Sequence, residues 1–172
     1  MKLKHFLFIR QLLCIILISF PLLLHAQTGK FYSTDHELSS SLINQLYQDS
    51  KGYIWIATEY GLNVFDGMRF SIYKHNAKDS TSLKNNYVRS LFEDSQKRFW
   101  VGCIDGLLQY DPHSDSFHEI PLIREGKQVY PHIMHITELR NGEIWIATSG
   151  QGIFKWNEKA KKGESIEYLM HN

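Results

Sequence analysis

The chain has 172 residues, 19 basic and 18 acidic, for a formal charge of +1. A hydrophobic content of 43% with 13% aromatics excludes a disordered chain, and four prolines exclude a proline-rich linker. The first 26 residues hold three of the basic side chains and no acidic one, so the remaining 146 carry a formal charge of −2 and lack the concentrated basic face that nucleic-acid binding requires.

Residues 1–26 read as a helical signal peptide. Lys2, Lys4 and Arg10 make a positive start, Leu12 to Leu24 an apolar run, and Leu24-His25-Ala26 a cleavage site before Gln27. The expectation is an exported, periplasmic protein. The alternative is an inner-membrane anchor through an uncleaved leader, for which this run of 13 residues falls short of the ~20 needed to span. Residues 27–37 form a linker in which Phe31-Tyr32 is a candidate closing strand. Beyond the leader the sole cysteine is Cys103, which sits in an apolar strand run and reads as a small buried filler.

From residue 38 the sequence repeats. Tyr53 to Thr58 reads YIWIAT, Arg98 to Cys103 reads RFWVGC and Glu143 to Thr148 reads EIWIAT, which spaces Trp55, Trp100 and Trp145 at intervals of 45 residues. Ile43, Val88 and Ile133 keep the same interval, as do Leu46, Leu91 and Ile136; Asp49 recurs at Asp94, and Gly52 at Gly142. Three units follow, at 38–82, 83–127 and 128–172. In the first, Ile43 to Gln48 is a strand closed by the turn Asp49-Ser50-Lys51-Gly52, where Asp bonds the backbone ahead of it and Gly takes a positive φ. Tyr53 to Thr58, Leu62 to Phe65 and Phe70 to Tyr73 complete four strands, with turns at Gly61 and Asp66-Gly67. The second unit turns at Asp111-Pro112 and ends with Phe117 to Ile120. The third is expected to end with Ile166 to Leu169, after a lysine-rich loop at 159–163. Four antiparallel strands every 45 residues predict an all-β chain of about three β-propeller blades, and the Gly and Asp-Gly punctuation leaves no room for a helical repeat. Closed propellers need 4–8 blades, so the expectation is an incomplete ring with two open apolar faces.

Asp49 to Gly67, DSKGYIWIATEYGLNVFDG, resembles the two-component regulator propeller repeat. Asp94 to Pro112 is a second copy and Asn141 to Asn157 a degenerate third. The resemblance implies the N-terminal periplasmic sensor region of a Bacteroides-type hybrid two-component system, a receptor for extracellular glycan fragments. In that family the propellers precede an immunoglobulin-like domain, a membrane span, a histidine kinase, a receiver and a DNA-binding module, none of which these 172 residues contain. The expected role is therefore a non-enzymatic, ligand-sensing segment of a truncated or split sensor, with further blades or a second copy of the chain as partners. The alternative is a stand-alone exported interaction module that closes its ring by self-assembly.

No catalytic constellation and no cofactor motif is present: there is neither a G-x-S-x-G elbow nor a phosphate-cradling glycine loop. His132 and His135, three apart on a strand, are expected on opposite faces and hence not to share a metal ion. Asp49 and Asp94 read as turn caps. Ligand-binding candidates are the loops between second and third strands, which share one face with the crossovers such as His75 to Asn86. They are Glu59 and Tyr60 in the first unit, Asp105 beside Ile104 in the second, and Gln151 within Ser149 to Gln151 in the third. They vary while the framework repeats, and an aromatic beside carboxylate and amide groups suits an oligosaccharide. Ordinary solvent-exposed turn residues would look the same.

Overall fold

The computed structural model describes Tyr32 and residues 37–166. The signal peptide, and Phe31 of the candidate closing strand, lie outside the described residues. Among those described there are fourteen strands and no helix. β1 (Ile43–Gln48), β2 (Ile54–Thr58), β3 (Gly61–Phe65) and β4 (Phe70–Tyr73) form one antiparallel meander. β5 (Val88–Glu93), β6 (Phe99–Cys103), β7 (Gly106–Asp111) and β8 (Ser116–Ile120) form the second. The third sheet has six strands in the order β10-β9-β14-β13-β12-β11, drawn from β9 (Leu122–Arg124), β10 (Lys127–Val129), β11 (His132–Glu138), β12 (Ile144–Ser149), β13 (Ile153–Asn157) and β14 (Lys162–Ser165). The all-β, propeller-blade architecture is that expected from the repeat.

Three sequence expectations need correction. The fourth strand of the third meander is β14, earlier than the expected Ile166 to Leu169, of which 167–169 lie outside the described residues: Lys162 is already paired with Asn157, so the strand starts within the lysine-rich stretch. Residues 122–127, expected in the second unit, pair with the third sheet together with 128 and 129. They form a hairpin through Glu125 (φ 51°) and Gly126 (φ 76°), whose first strand runs parallel to β14. Gly163 admits this neighbour, because a Cβ there would stand 2.4 Å from Leu122 Cδ2. The third correction concerns the histidines. A β-bulge interrupts the first strand of every sheet at the same place, between Ile43 and Gln45, Val88 and Ser90, and Ile133 and His135. The extra residue reverses the alternation of side chains, so His132 and His135 stand opposite Ser149 and Ala147 on one face of the sheet. Among the described residues no group of three or more His, Cys, Asp or Glu side chains is placed to hold a metal ion.

The bulge is what lets residues three apart serve one core. Val88 with Leu91, and Ile133 with Ile136, are all buried between sheets. One core joins Trp55, Ala57 and Leu62 of the first sheet to Val88, Leu91, Phe99 and Val101 of the second. Another joins Trp100, Leu107 and Ile120 to Ile133, Ile136, Ile146 and Phe154 of the third. Cys103 lies in the first core, fully buried, and desolvation pushes its thiol up to about 12, which keeps it protonated and unreactive near neutrality. Contact at the second core is close. A Cβ on Gly102, where the other units have Ala57 and Ala147, would stand 2.5 Å from Ile133 Cγ2. Gly102→Ala is therefore expected to destabilise the chain by about 1–3 kcal/mol through overpacking. Urea denaturation of the two proteins measures it.

Polar staples repeat along with the cores. Ser50 donates its backbone N–H and its hydroxyl to Glu93, at 2.7 and 2.8 Å. Ser95 does the same to Glu138, at 2.8 and 2.6 Å. Gln45 adds a two-way amide clamp on the backbone of Leu91, at 3.0 and 2.8 Å. Each donor sits in the turn or first strand of one sheet and each acceptor in the first strand of the next, so the same rotation relates both pairs of sheets.

Candidate functional site

In a four-stranded meander the turns alternate between two ends. The turns β1–β2 and β3–β4 lie at one end, and the β2–β3 turn shares the other with the crossover to the next sheet. The sequence candidates occupy the second end, each held by its own neighbourhood. Glu59 is tied through its backbone N–H to Leu42 O at 3.2 Å. The Tyr60 side chain is 60% exposed. Asp105 accepts a 3.3 Å bond from Asn85 Nδ2 on Oδ2, while its Oδ1 is buried with no partner among the described residues. Gln151 Oε1 accepts from Arg124 Nη1 at 3.1 Å, a contact the β9–β10 hairpin supplies. Among the described residues none of the four hydrogen-bonds another.

The first end holds what sequence reasoning missed. All four tryptophans donate the indole N–H to a carboxylate. Trp55 donates to Asp49 Oδ2 at 2.8 Å and Trp100 to Asp94 Oδ2 at 2.9 Å. Trp145 uses Glu143 at 3.2 Å and Trp156 uses Glu158 at 2.8 Å. The turn-cap reading of the two aspartates holds as well, since Oδ1 of Asp49 accepts from the N–H groups of Lys51 and Tyr53, and that of Asp94 from Gln96 and Arg98. One carboxylate thus closes the turn and orients the ring that packs against the next sheet.

Between the first two sheets this end opens into a cleft of about 590 Å³. Behind its lining lies Trp55, 3% exposed, with its ring centroid 4.4 Å from that of Phe99 and 5.0 Å from that of Tyr110. Tyr73 and Tyr110 form a wall, both hydroxyls donating to Asp115 Oδ1, at 2.6 and 2.8 Å. Burial first, and then the bond to Asp115, raises the Tyr73 phenol above its ordinary 10.0, so it stays neutral at any physiological pH. Tyr53, 41% exposed, and Lys51 stand at the mouth with Lys97 and Asp66. Asp66 is held below the usual carboxylate range by the backbone N–H groups of Arg69 and Met68, both bonded to Oδ1 at 2.7 Å. A sequence signal did exist: position 53 varies, as Tyr53, Arg98 and Glu143, inside an otherwise constant motif.

At the second pair of sheets Arg98 takes up the corresponding space. Its Nε donates to Asp94 at 2.6 Å, a second nitrogen pairs with Glu158, and its guanidinium lies over Trp100 and Trp156 at 5.3 and 5.9 Å. Glu158 is held down to about 2, first by the Lys161 ammonium, then by the Trp156 indole and Arg98. A carboxylate with a depressed pKa contributes stability above its unfolded value of 4.5 and loses it as pH falls through the folded one. The urea midpoint is therefore expected to drop between pH 4.5 and about 2, and Glu158→Gln to flatten that drop. A midpoint with the same pH dependence in both proteins would refute the assignment.

One arrangement resembles a hydrolytic triad and is not one. Ser116 Oγ lies 3.5 Å from His118 Nε2, and the Asp111 carboxylate lies 4.0 Å from the same nitrogen. A base that is to accept a proton on one nitrogen needs its carboxylate on the other. Ser114, bonded to Asp111 Oδ2 at 2.7 Å and to Ser116 at 2.7 Å, identifies the cluster as the closure of the β7–β8 turn.

Comparison with known proteins agrees with the repeat. The sequence pattern of the family described as "Two component regulator propeller" matches residues 37–60 and 82–105. "Histidine kinase P4" of Formosa agariphila is 40% identical over 74 residues, 40% of this chain and 5% of that protein. Among solved structures, the extracellular domain of the hybrid two component system BT3049 from B. thetaiotaomicron is 25% identical with a TM-score of 0.71, over 82% of this chain and 20% of that one. The extracellular domain of BT4673 from the same organism shares the fold, at 24% identity and a TM-score of 0.62, over 73% of this chain and 18% of that one. The chain thus spans about a fifth or less of the length of these relatives. Residues 37–60 and 82–105 thus carry the two-component regulator propeller repeat, and the chain is similar in fold to these extracellular domains.

Proposed function

We propose that the chain is a non-enzymatic, ligand-sensing segment of an exported two-component sensor, and that its ligand is a glycan fragment. The observation that carries the reading is the structural likeness to the extracellular domain of BT3049 across 82% of the chain. An aromatic cleft bordered by hydrogen-bonding groups adds to it, since sugars offer an apolar ring face and a hydroxyl rim. Calorimetric titration with a panel of oligosaccharides tests it. Saturable binding without turnover is expected, and the absence of binding across the panel, or hydrolysis of a bound glycan, would overturn it.

A second reading, assembly into a closed ring with a second copy or further blades, is favoured by one set of exposures. Leu46 is 64% exposed, while its equivalents Leu91 and Ile136 are each 1% exposed, and Ile43 and Ile72 of the first sheet are also open. Light scattering distinguishes it: a stable monomer at all concentrations would exclude self-assembly.

A further inference from the structure

We infer that the cleft between the first two sheets, at the end opposite the β2–β3 loops, binds a neutral oligosaccharide. The inference rests on the glycan reading and says where the ligand sits and what charge it carries. Three observations lead to it.

First, the repeat builds this space twice and leaves it open once. At the second pair of sheets Arg98 bridges Asp94 and Glu158 and covers Trp100. At the first pair the equivalent residue is Tyr53, which stays at the mouth, 41% exposed, and leaves about 590 Å³ open between the two sheets. That volume lies within the ~300–1,000 Å³ range of small-ligand sites.

Second, the walls offer what a sugar ring uses. The half-buried rings of Tyr73 and Tyr110 are fixed from behind by Asp115, so presenting their open edges costs little ordering. Around them stand groups without side-chain partners among the described residues: the ammonium groups of Lys51 and Lys97, the second oxygen of Asp66 and the hydroxyl of Tyr53. Donors and acceptors occur together, and a sugar hydroxyl is both.

Third, the charges exclude an anion. Asp49, Asp66 and Glu93 line the cleft against Lys51 and Lys97, which leaves no excess of positive charge to hold a uronate or a sulfate. Asp49 is occupied on both oxygens, by the Trp55 indole and by the backbone N–H groups of Lys51 and Tyr53, and Glu93 on both by Ser50. A strongly cationic ligand has only Asp66 left to meet. A neutral, hydroxyl-rich ligand remains.

The test is amide NMR of the ¹⁵N-labelled chain titrated with neutral hexasaccharides of β-1,4-glucan, β-1,4-mannan and β-1,4-xylan, and separately with oligogalacturonate. Saturable shifts at Lys51, Tyr53, Tyr73 and Lys97 with a neutral hexasaccharide, stronger than with galacturonate, are expected. Tyr53→Ala should weaken binding about tenfold, the worth of one well-placed ring. Lys51→Ala, on the exposed turn, should weaken it without altering the fold, and Tyr60→Ala should leave it unchanged. Shifts confined to Glu59, Tyr60, Asp105 and Gln151 would overturn the cleft and leave the glycan reading standing. Preference for galacturonate would overturn the neutral class. Silence with every sugar would remove the glycan reading and this inference with it.

Discussion

Asp94→Ala is expected to lower stability by about 3–5 kcal/mol, the range for removing one partner of a buried charged network. Four donors converge on this carboxylate, which is 2% exposed: the backbone N–H groups of Gln96 and Arg98, the Arg98 side chain and the Trp100 indole. Alanine leaves the fully buried indole N–H unpaired and detaches Arg98 from the floor it covers. Asp94→Asn keeps one oxygen for the turn and should cost less than half as much. Asp49→Ala, at the same place in the more open first turn, should fall between the two, because water reaches the groups it strands. Urea unfolding monitored by tryptophan fluorescence would measure all three. Equal costs for Asp94→Ala and Asp94→Asn would show that the indole and guanidinium contacts, and not the turn bonds, carry the stability.

The second large effect concerns one repeat position in two settings. Leu91→Ala is expected to cost about 2–5 kcal/mol, as for a fully buried leucine. Leu46→Ala should fall within about 0.5 kcal/mol of the parent, as an exposed substitution does. Sequence does not distinguish these residues; only the presence of a sheet in front of one of them does. Should Leu46→Ala prove as costly as Leu91→Ala, the first sheet's open face would be covered in solution, and a protein-concentration dependence of the midpoint would identify a second copy as the cover.

Both effects follow from a logic of neighbours. Each sheet presents Trp and Ser to the next and receives them with Glu and a ring: Trp55 meets Tyr110, and Trp100 meets Trp156 at 5.1 Å. Applied once more, this places Trp145 at a face that lacks its neighbour among the described residues, and it is correspondingly more exposed than Trp55 and Trp100. On the other open face Tyr32 packs its ring on Phe65 and Phe70, at 5.5 and 5.1 Å. An aromatic at that spot continues the pattern with residues from before the first strand. Partial capping of this kind fits a solenoid-like array, in which each unit is stabilised mainly by the one beside it.

The sequence by itself determined the strands and their period. Alternating β-branched and aromatic runs, broken by Asp, Gly and Asp-Gly turns, are local signals, and three copies in register reinforced them. It also determined the caps, because an Asp before Ser-Lys-Gly bonds the backbone within four residues. Tertiary structure decided the rest. The bulge at Asn44, Arg89 and Met134 shows only in the pairing register, and it placed His132 and His135 on one face where alternation predicted two. The β9–β10 hairpin joined the third sheet because Gly163 leaves room for Leu122, a fit between residues 41 positions apart. The cleft was invisible for the same reason. Lys51 and Tyr53 lie in one turn of the first sheet and Asp66 in another, and Lys97 lies in a turn of the next sheet. They line one space only after the sheets pack and Tyr53 stands where the next unit has an arginine. Local chemistry can be read along a chain, whereas a space between two sheets is set by distances that no stretch of sequence contains.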